Sequence, residues 1–192
     1  MNALYEAALE VQGFFESRQW RFCIIGGLAV VRWGQPRATQ DVDLSLLTEF
    51  GSEAEYVDSI LREFEGRLND AAEFALQSRV VLAKAANGIP LDIALAGFPF
   101  EAQTIERATP FEYASGVVLI TASAEDLVVL KSFAGRDQDW SDVQGILVRQ
   151  RDELDWPYIS RELTGLCRLD GNTEPAERLT HLRSQVEGGG GE

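Results

Sequence analysis

The chain has 192 residues, with 31 Asp and Glu against 17 Lys and Arg, so its formal net charge is −14. This length suits one domain, or one domain with a small helical appendage. A domain near this size buries roughly 70% of the surface that its unfolded chain exposes. The acidic balance argues against a protein that wraps duplex DNA, because that needs a broad basic face. Two cysteines and one histidine are too few for a disulfide framework or a Cys/His zinc site. The sequence has no apolar run that could span a membrane and no signal-peptide pattern, so we expect a cytoplasmic protein with no membrane partner.

The first third of the chain is predicted to alternate helices with short strands. Apolar spacing predicts a helix over 3–17, and the apolar run over 20–25 predicts a buried strand that ends at Gly26-Gly27. A short helix over 28–33, a strand over 41–46 and a helix over 53–66 follow by the same patterns.

The middle of the chain is predicted to hold a hairpin and the end to be helical. Strands over 79–86 and 90–96 flank Asn87-Gly88, a pair typical of two-residue hairpins in which both residues take positive φ. Segment 100–108 is ambiguous, and 117–120 is a strand candidate. Ser123 begins an S-x-x-D capping pattern, and helices are predicted near 124–134, 138–151, 157–168 and 174–187.

These elements predict an α+β fold: a small mixed β-sheet core with flanking helices and a helical C-terminal part. The expected boundaries are a core over 1–122, a helical part packed on it over 123–187, and a flexible glycine-rich tail over 188–192.

Two carboxylates stand two residues apart on the predicted strand over 41–46. Because residues i and i+2 face the same side of a strand, Asp41 and Asp43 converge. Adjacent anions repel unless a cation lies between them, and Mg²⁺ prefers such oxygen ligands. A D-x-D pair alone is also typical of a solvated strand edge, so its neighbours decide the interpretation.

The neighbouring residues are suited to phosphate. Gly26 and Gly27 allow backbone N–H groups to approach a phosphate at the start of a helix, although a plain strand-to-helix turn would look the same. Arg37 can make a bidentate hydrogen bond to a phosphate, and the Thr39 hydroxyl can donate a hydrogen bond to one.

Asp92 lies in the apolar strand over 90–96, where a carboxylate is costly unless it is paired or binds a metal. On a strand adjacent to Asp41 and Asp43 it would complete a three-carboxylate cage.

The assembled pattern resembles the polymerase-β-like nucleotidyltransferase superfamily, and within it the AbiEii/AbiGii-type toxin nucleotidyltransferases. The pattern consists of Gly26-Gly27-x-Ala29, then Arg37-x-Thr39-x-Asp41-Val42-Asp43, then Leu91-Asp92-Ile93. A second block, in which Lys131 and Arg136 precede Asp137, Asp139 and Asp142, is similar to the Lys…Arg…Asp block of those proteins. Leu28 stands where many superfamily members have Ser after the double glycine. The toxin-like branch often lacks that Ser.

The resemblance implies a Mg²⁺-dependent transfer of NMP from an NTP to a hydroxyl acceptor. Asp41, Asp43 and Asp92 are then the ligands of two Mg²⁺ ions, with Asp92 also the general base. The implied NTP-binding residues are Gly26, Gly27, Arg37, Thr39, Lys131 and Arg136. Asp139 and Asp142 either lie near the metal or stabilise the start of the helix near 138–151.

Three functions are compatible with the sequence. In the toxin-like branch the implied acceptor is often tRNA or another RNA, and the implied partner is an antitoxin protein. An aminoglycoside-type small-molecule nucleotidyltransferase is the first alternative, because an acidic surface suits a polycationic substrate. The second is a catalytically inactive module that binds a nucleotide or a protein, which the three carboxylates argue against.

Overall fold

The computed structural model describes residues 2–188, which form two compact units. The first unit contains the residues up to Ala29 together with Ala38–Ala122. The second contains Val30–Arg37 and the residues from Ser123 onward. The predicted tail over 188–192 falls outside the described residues except for Gly188, which is the last residue of a helix.

The first unit is built on a seven-stranded mixed sheet with the order β3-β4-β5-β2-β1-β7-β6. Two pairings, β2 with β5 and β1 with β7, are parallel, and the other four are antiparallel. The strands are β1 (Phe22–Ile24), β2 (Val42–Leu47), β3 (Glu65–Gly66), β4 (Val80–Lys84), β5 (Pro90–Ala96), β6 (Thr109–Ala114) and β7 (Val117–Thr121). The helices are α1 (Ala3–Ser17), α2 (Gly26–Trp33), α3 (Glu53–Glu63), α4 (Ala71–Ser78) and α5 (Pro99–Glu106), of which α2 ends in the second unit.

One hydrophobic core lies between this sheet and the helices α1 and α3. Val11 and Phe15 of α1 and Ile60 of α3 pack with the buried residues of β2 and β5. Along β5, Leu91, Ile93 and Leu95 are buried while the intervening residues are half-buried. This period-2 pattern fixes the register of β5, because a shift of one residue would turn its apolar side chains out of the core.

The second unit is helical, as the sequence predicts. It contains α6 (Ala124–Ala134), α7 (Asp137–Gln150), a 3₁₀ turn over Arg151–Glu153, α8 (Trp156–Asp170) and α9 (Glu174–Gly188). Ser123 is the N-cap of α6, and its Oγ accepts a hydrogen bond of 3.1 Å from the Asp126 N–H. Asp126 is fully buried, and the Tyr158 hydroxyl from α8 donates to its carboxylate. This buried, charge-assisted hydrogen bond ties α6 to α8.

The predicted fold class is therefore confirmed, with differences in individual elements. The hairpin after β4 has a three-residue loop, because the Ala85 N–H donates to the Ile89 carbonyl, and only Gly88 has positive φ. The ambiguous segment 100–108 is largely α5, and α4 and β6 are elements that the sequence patterns did not predict. The helix predicted over 53–66 ends at Glu63, and Glu65–Gly66 forms β3. Among the described helices, none is both long and apolar enough to cross a membrane.

Candidate active site

The double glycine is packed against polar side chains of the first unit. Gly26 begins α2 with a φ of +61°, which favours glycine. A Cβ added to Gly26 would lie 1.9 Å from Asp43 Oδ2, and one added to Gly27 would lie 2.4 Å from Thr39 Oγ1. The Gly27 N–H donates to Asp43 Oδ2 at 3.4 Å. The two glycines are therefore required for the close approach of Asp43 and Thr39 to the start of this helix.

The predicted carboxylates lie on neighbouring strands. In the parallel pairing of β2 with β5, Asp43 is the direct register partner of Asp92. Neighbouring strands are about 4.8 Å apart, so the two side chains are lateral neighbours on one face. Asp41 lies just before β2 and accepts a hydrogen bond of 2.9 Å from the Thr39 hydroxyl. The structure thus brings Thr39, Asp41, Asp43 and Asp92 together at the beginnings of two parallel strands.

Asp92 forms an ion pair with Arg67, a residue that no sequence pattern indicates. Burial raises the pKa of Asp92, and although Arg67 lowers it, the negative charge of Asp41 raises it further, so the pKa lies above its usual value. Arg67 is an isolated basic residue just after the two-residue strand β3. Its sequence neighbours carry no motif, and only the order of the strands shows that it can reach Asp92.

Three of the basic residues predicted to bind phosphate are paired with aspartates inside the second unit. Lys131 is buried, and its Nζ lies 2.9 Å from Asp139 Oδ1 and 2.8 Å from Asp142 Oδ2. Arg37 donates from Nε and Nη2 to the two oxygens of Asp142 at 2.9 and 3.0 Å. Arg136 Nε donates to Asp139 Oδ2 at 2.6 Å.

These cations lower the pKa of Asp139 and of Asp142. Burial alone would raise the pKa of Asp139, but hydrogen bonds from Arg136 and Lys131 outweigh it and hold the pKa below its usual value. The same balance, with Arg37 and Lys131 as donors, lowers the pKa of Asp142. Both aspartates are therefore ionised near neutral pH, and the three cations around them more than offset their charge.

One protein-family model matches nearly the whole chain. The model described as "Nucleotidyltransferase of unknown function (DUF6036)" matches residues 2–183. The chain belongs to this nucleotidyltransferase family. The prediction of a nucleotidyltransferase enzyme is thereby confirmed.

One solved structure supports the nucleotidyltransferase-like fold, and two others align less closely. An antigenic nucleotidyltransferase-like protein from Paracoccidioides brasiliensis aligns with a TM-score of 0.52 at 16% identity, over 92% of each chain. ANT(2″)-Ia in complex with adenylyl-2″-tobramycin aligns at 0.47 and 19% identity, over 96% of this chain and 97% of that one. The lincosamide antibiotic adenylyltransferase LnuA aligns at 0.48 and 14%, over 73% and 94%. No curated protein matches the sequence.

The carboxylates of this nucleotidyltransferase suit a hard cation by chemistry and placement. Within residues 2–188, no group of three or more His, Cys, Asp or Glu is arranged to hold a metal ion as the side chains stand. Asp43 and Asp92 are nevertheless register partners, and Asp41 contributes a third carboxylate close enough to affect Asp92. The missing side chain of Gly26 leaves room around the Asp43 carboxylate that a Cβ would fill. This all-oxygen donor set fits Mg²⁺, with Arg67 as the present counter-ion of Asp92.

Proposed function

We propose that this chain is a Mg²⁺-dependent nucleotidyltransferase that moves NMP from an NTP to a hydroxyl acceptor, with its catalytic groups within residues 1–122. The observation that carries the proposal is the parallel register that sets Asp43 beside Asp92, with Asp41 two residues before Asp43. Two like charges side by side on half-buried strands are unfavourable without a cation. Family membership supplies the reaction class.

The candidate site residues of the first unit would then divide the work of metal binding, proton transfer and phosphate binding. Asp41, Asp43 and Asp92 would hold the divalent cations, which when bound supply charge stabilisation for the attacking and leaving oxygens. Asp92 accepts the proton of the acceptor hydroxyl, a task helped by its raised pKa. Backbone N–H groups at Gly26 and Gly27 bind phosphate oxygens at the start of α2, and the Gly27 N–H exchanges its 3.4 Å contact with Asp43 Oδ2 for one of them.

Arg37, Lys131 and Arg136 remain proposed NTP-binding residues. Each would have to exchange an aspartate for a phosphate oxygen, because each is paired within the second unit. The exchange is easiest for Arg136, whose side chain is 78% exposed, and hardest for Lys131, whose side chain is 8% exposed. We therefore expect Arg136 to contribute more to NTP affinity than Lys131.

For the acceptor we propose an RNA 3′ end such as that of tRNA, as the resemblance to AbiEii-type toxins implies, with an antitoxin as the protein partner. A net charge of −14 disfavours long contacts with RNA and favours a narrow one. The same charge supports the alternative of a cationic small molecule such as an aminoglycoside, which would be attracted to the surface.

The decisive experiment is label transfer from each α-³²P-NTP in Mg²⁺, with total tRNA in one reaction and an aminoglycoside in another. We expect label in the tRNA with the wild-type protein and none with Asp43→Asn. The matched control is Asp58→Asn, because Asp58 is an exposed carboxylate on α3 paired only with the exposed Arg62 in the structure described. Label in the aminoglycoside alone would select the alternative acceptor, and label transfer that survives Asp43→Asn would refute the assigned site.

A further inference from the structure

Arg67 and Asp92 stand in one row that crosses the sheet. The Arg67 N–H donates to the Leu82 carbonyl at 2.9 Å, which extends the β3–β4 pairing by one residue. Leu82 is the register partner of Asp92, and Asp92 is the register partner of Asp43. Residues opposite each other across strands share a face. Arg67 thus reaches over Leu82, a distance of two strand spacings, to place its guanidinium on the outermost carboxylate of the proposed site.

The arginine makes this contact without satisfying all of its own donors. Arg67 Nη2 forms the ion pair with Asp92, whereas the buried Arg67 Nε donates to no acceptor among the described residues. A buried N–H without an acceptor is costly. The ion pair therefore holds Arg67 in a position in which its Nε–H has no acceptor within residues 2–188.

We propose that Arg67 is a positioning residue that serves as the counter-cation of Asp92 while the site lacks metal. Its guanidinium keeps Asp92 in the row beside Asp43 despite the repulsion between the two carboxylates, and it yields Asp92 when a divalent cation and the nucleotide bind. The released Arg67 Nε–H and Nη–H groups then donate to an oxygen of the nucleotide phosphates. This inference rests on the proposed function, because it assigns Arg67 a role at the same carboxylates.

The first test is Mn²⁺ binding without nucleotide, followed by electron paramagnetic resonance of the free ion. Arg67→Gln is expected to bind Mn²⁺ roughly tenfold more tightly than the wild-type protein, because a competing cation in contact with one ligand has been removed. Arg67→Lys keeps the charge and is expected to stay within about twofold of wild type. The matched control is Arg62→Gln, which removes an equal charge from a side chain that is 80% exposed and is expected to change nothing measurable.

The outcomes separate this inference from the proposed function. If the wild-type protein binds Mn²⁺ and Arg67→Gln binds it no more tightly, only the role of Arg67 is overturned. If none of the variants binds Mn²⁺, the metal-dependent function fails together with it.

A second measurement needs no substitution at Arg67. In the ¹⁵N spectrum of the wild-type protein, the Arg67 Nε–H resonance is expected to shift as Mg²⁺ and a non-hydrolysable NTP are added, because the Nε–H gains a phosphate oxygen as its acceptor. A resonance that stays unchanged at saturation would overturn the exchange of partners.

Discussion

Replacing Gly26 with alanine tests whether the Asp43 carboxylate is the functional group at the start of α2. The added Cβ would lie 1.9 Å from Asp43 Oδ2, 2.4 Å from its Cγ and 2.6 Å from its Cβ. A rotation of the carboxylate alone cannot relieve these contacts, because the Asp43 Cβ is fixed by the backbone of β2. Either β2 or α2 must shift, and the carboxylate must retreat by about 1 Å to reach normal contact distances.

Two costs of this substitution can be separated. The φ of +61° at Gly26 makes any L-residue there unfavourable by about 1–2 kcal/mol. The displacement of Asp43 is expected to slow transfer about a hundredfold, because a misplacement of about 1 Å can cost that much at a reacting centre.

Gly116→Ala is the matched control for the backbone cost. Gly116 has a φ of +76°, and a Cβ added there meets nothing within 4 Å. Backbone strain should lower the unfolding free energy of both variants by a comparable amount, and Gly26→Ala should lose more in total because its Cβ also meets Asp43. Only Gly26→Ala should lose α-³²P-NTP transfer at a temperature where both variants are folded. Equal transfer rates in the two folded variants would refute the assignment of Asp43.

Three further predictions concern charge. Lys131→Met leaves two buried aspartates short of a partner and should lower the unfolding free energy by about 3 kcal/mol, measured by urea denaturation; a loss below about 1 kcal/mol would contradict the structural role of Lys131. Asp139 and Asp142 have lowered pKa values in the folded state, so the stability that they contribute is complete above the unfolded pKa of about 3.9 and is lost as pH falls toward the folded values. Thermal unfolding from pH 6 to pH 2 should show this loss of stability. The double variant Asp139→Asn, Asp142→Asn should show a smaller dependence of stability on pH. Added salt should raise the KM of a cationic acceptor and lower that of RNA, since screening weakens both attraction and repulsion; KM values at two ionic strengths would show which applies.

The predicted elements succeeded where a strand or helix is decided by its own apolar pattern. The helix over 3–17 and the strand over 90–96 match α1 and β5 residue for residue. The Asn87-Gly88 hairpin was placed correctly but given too short a loop, since a three-residue loop with glycine in the left-handed region satisfies the same residues. Strand β6 has almost no buried side chain, so no hydrophobic signal marks it.

The candidate site shows a different limit. The sequence placed Asp41 and Asp43 on one strand and Asp92 on another, and their chemistry suggested that they meet. Nothing local could show that β2 and β5 pair in parallel with Asp43 opposite Asp92, because register is set by the packing of the whole sheet. For the same reason Arg67 gave no signal, since its position is determined by pairing across β4 with a strand of two residues.

The aspartates of the two units differ in how far nearby cations compensate their charge. In the second unit Asp139 and Asp142 each have two cationic partners, so both are stabilised as carboxylates and need no outside ion. In the first unit the described ion pairs at the three carboxylates include Arg67 with Asp92, and the pKa of Asp92 stays raised in spite of it. Burial and like charge therefore outweigh one arginine at Asp92, whereas arginine and lysine together outweigh burial at Asp139. Negative charge that a divalent cation could relieve is thus found at Asp92, which is the physical reason to seek the metal beside it.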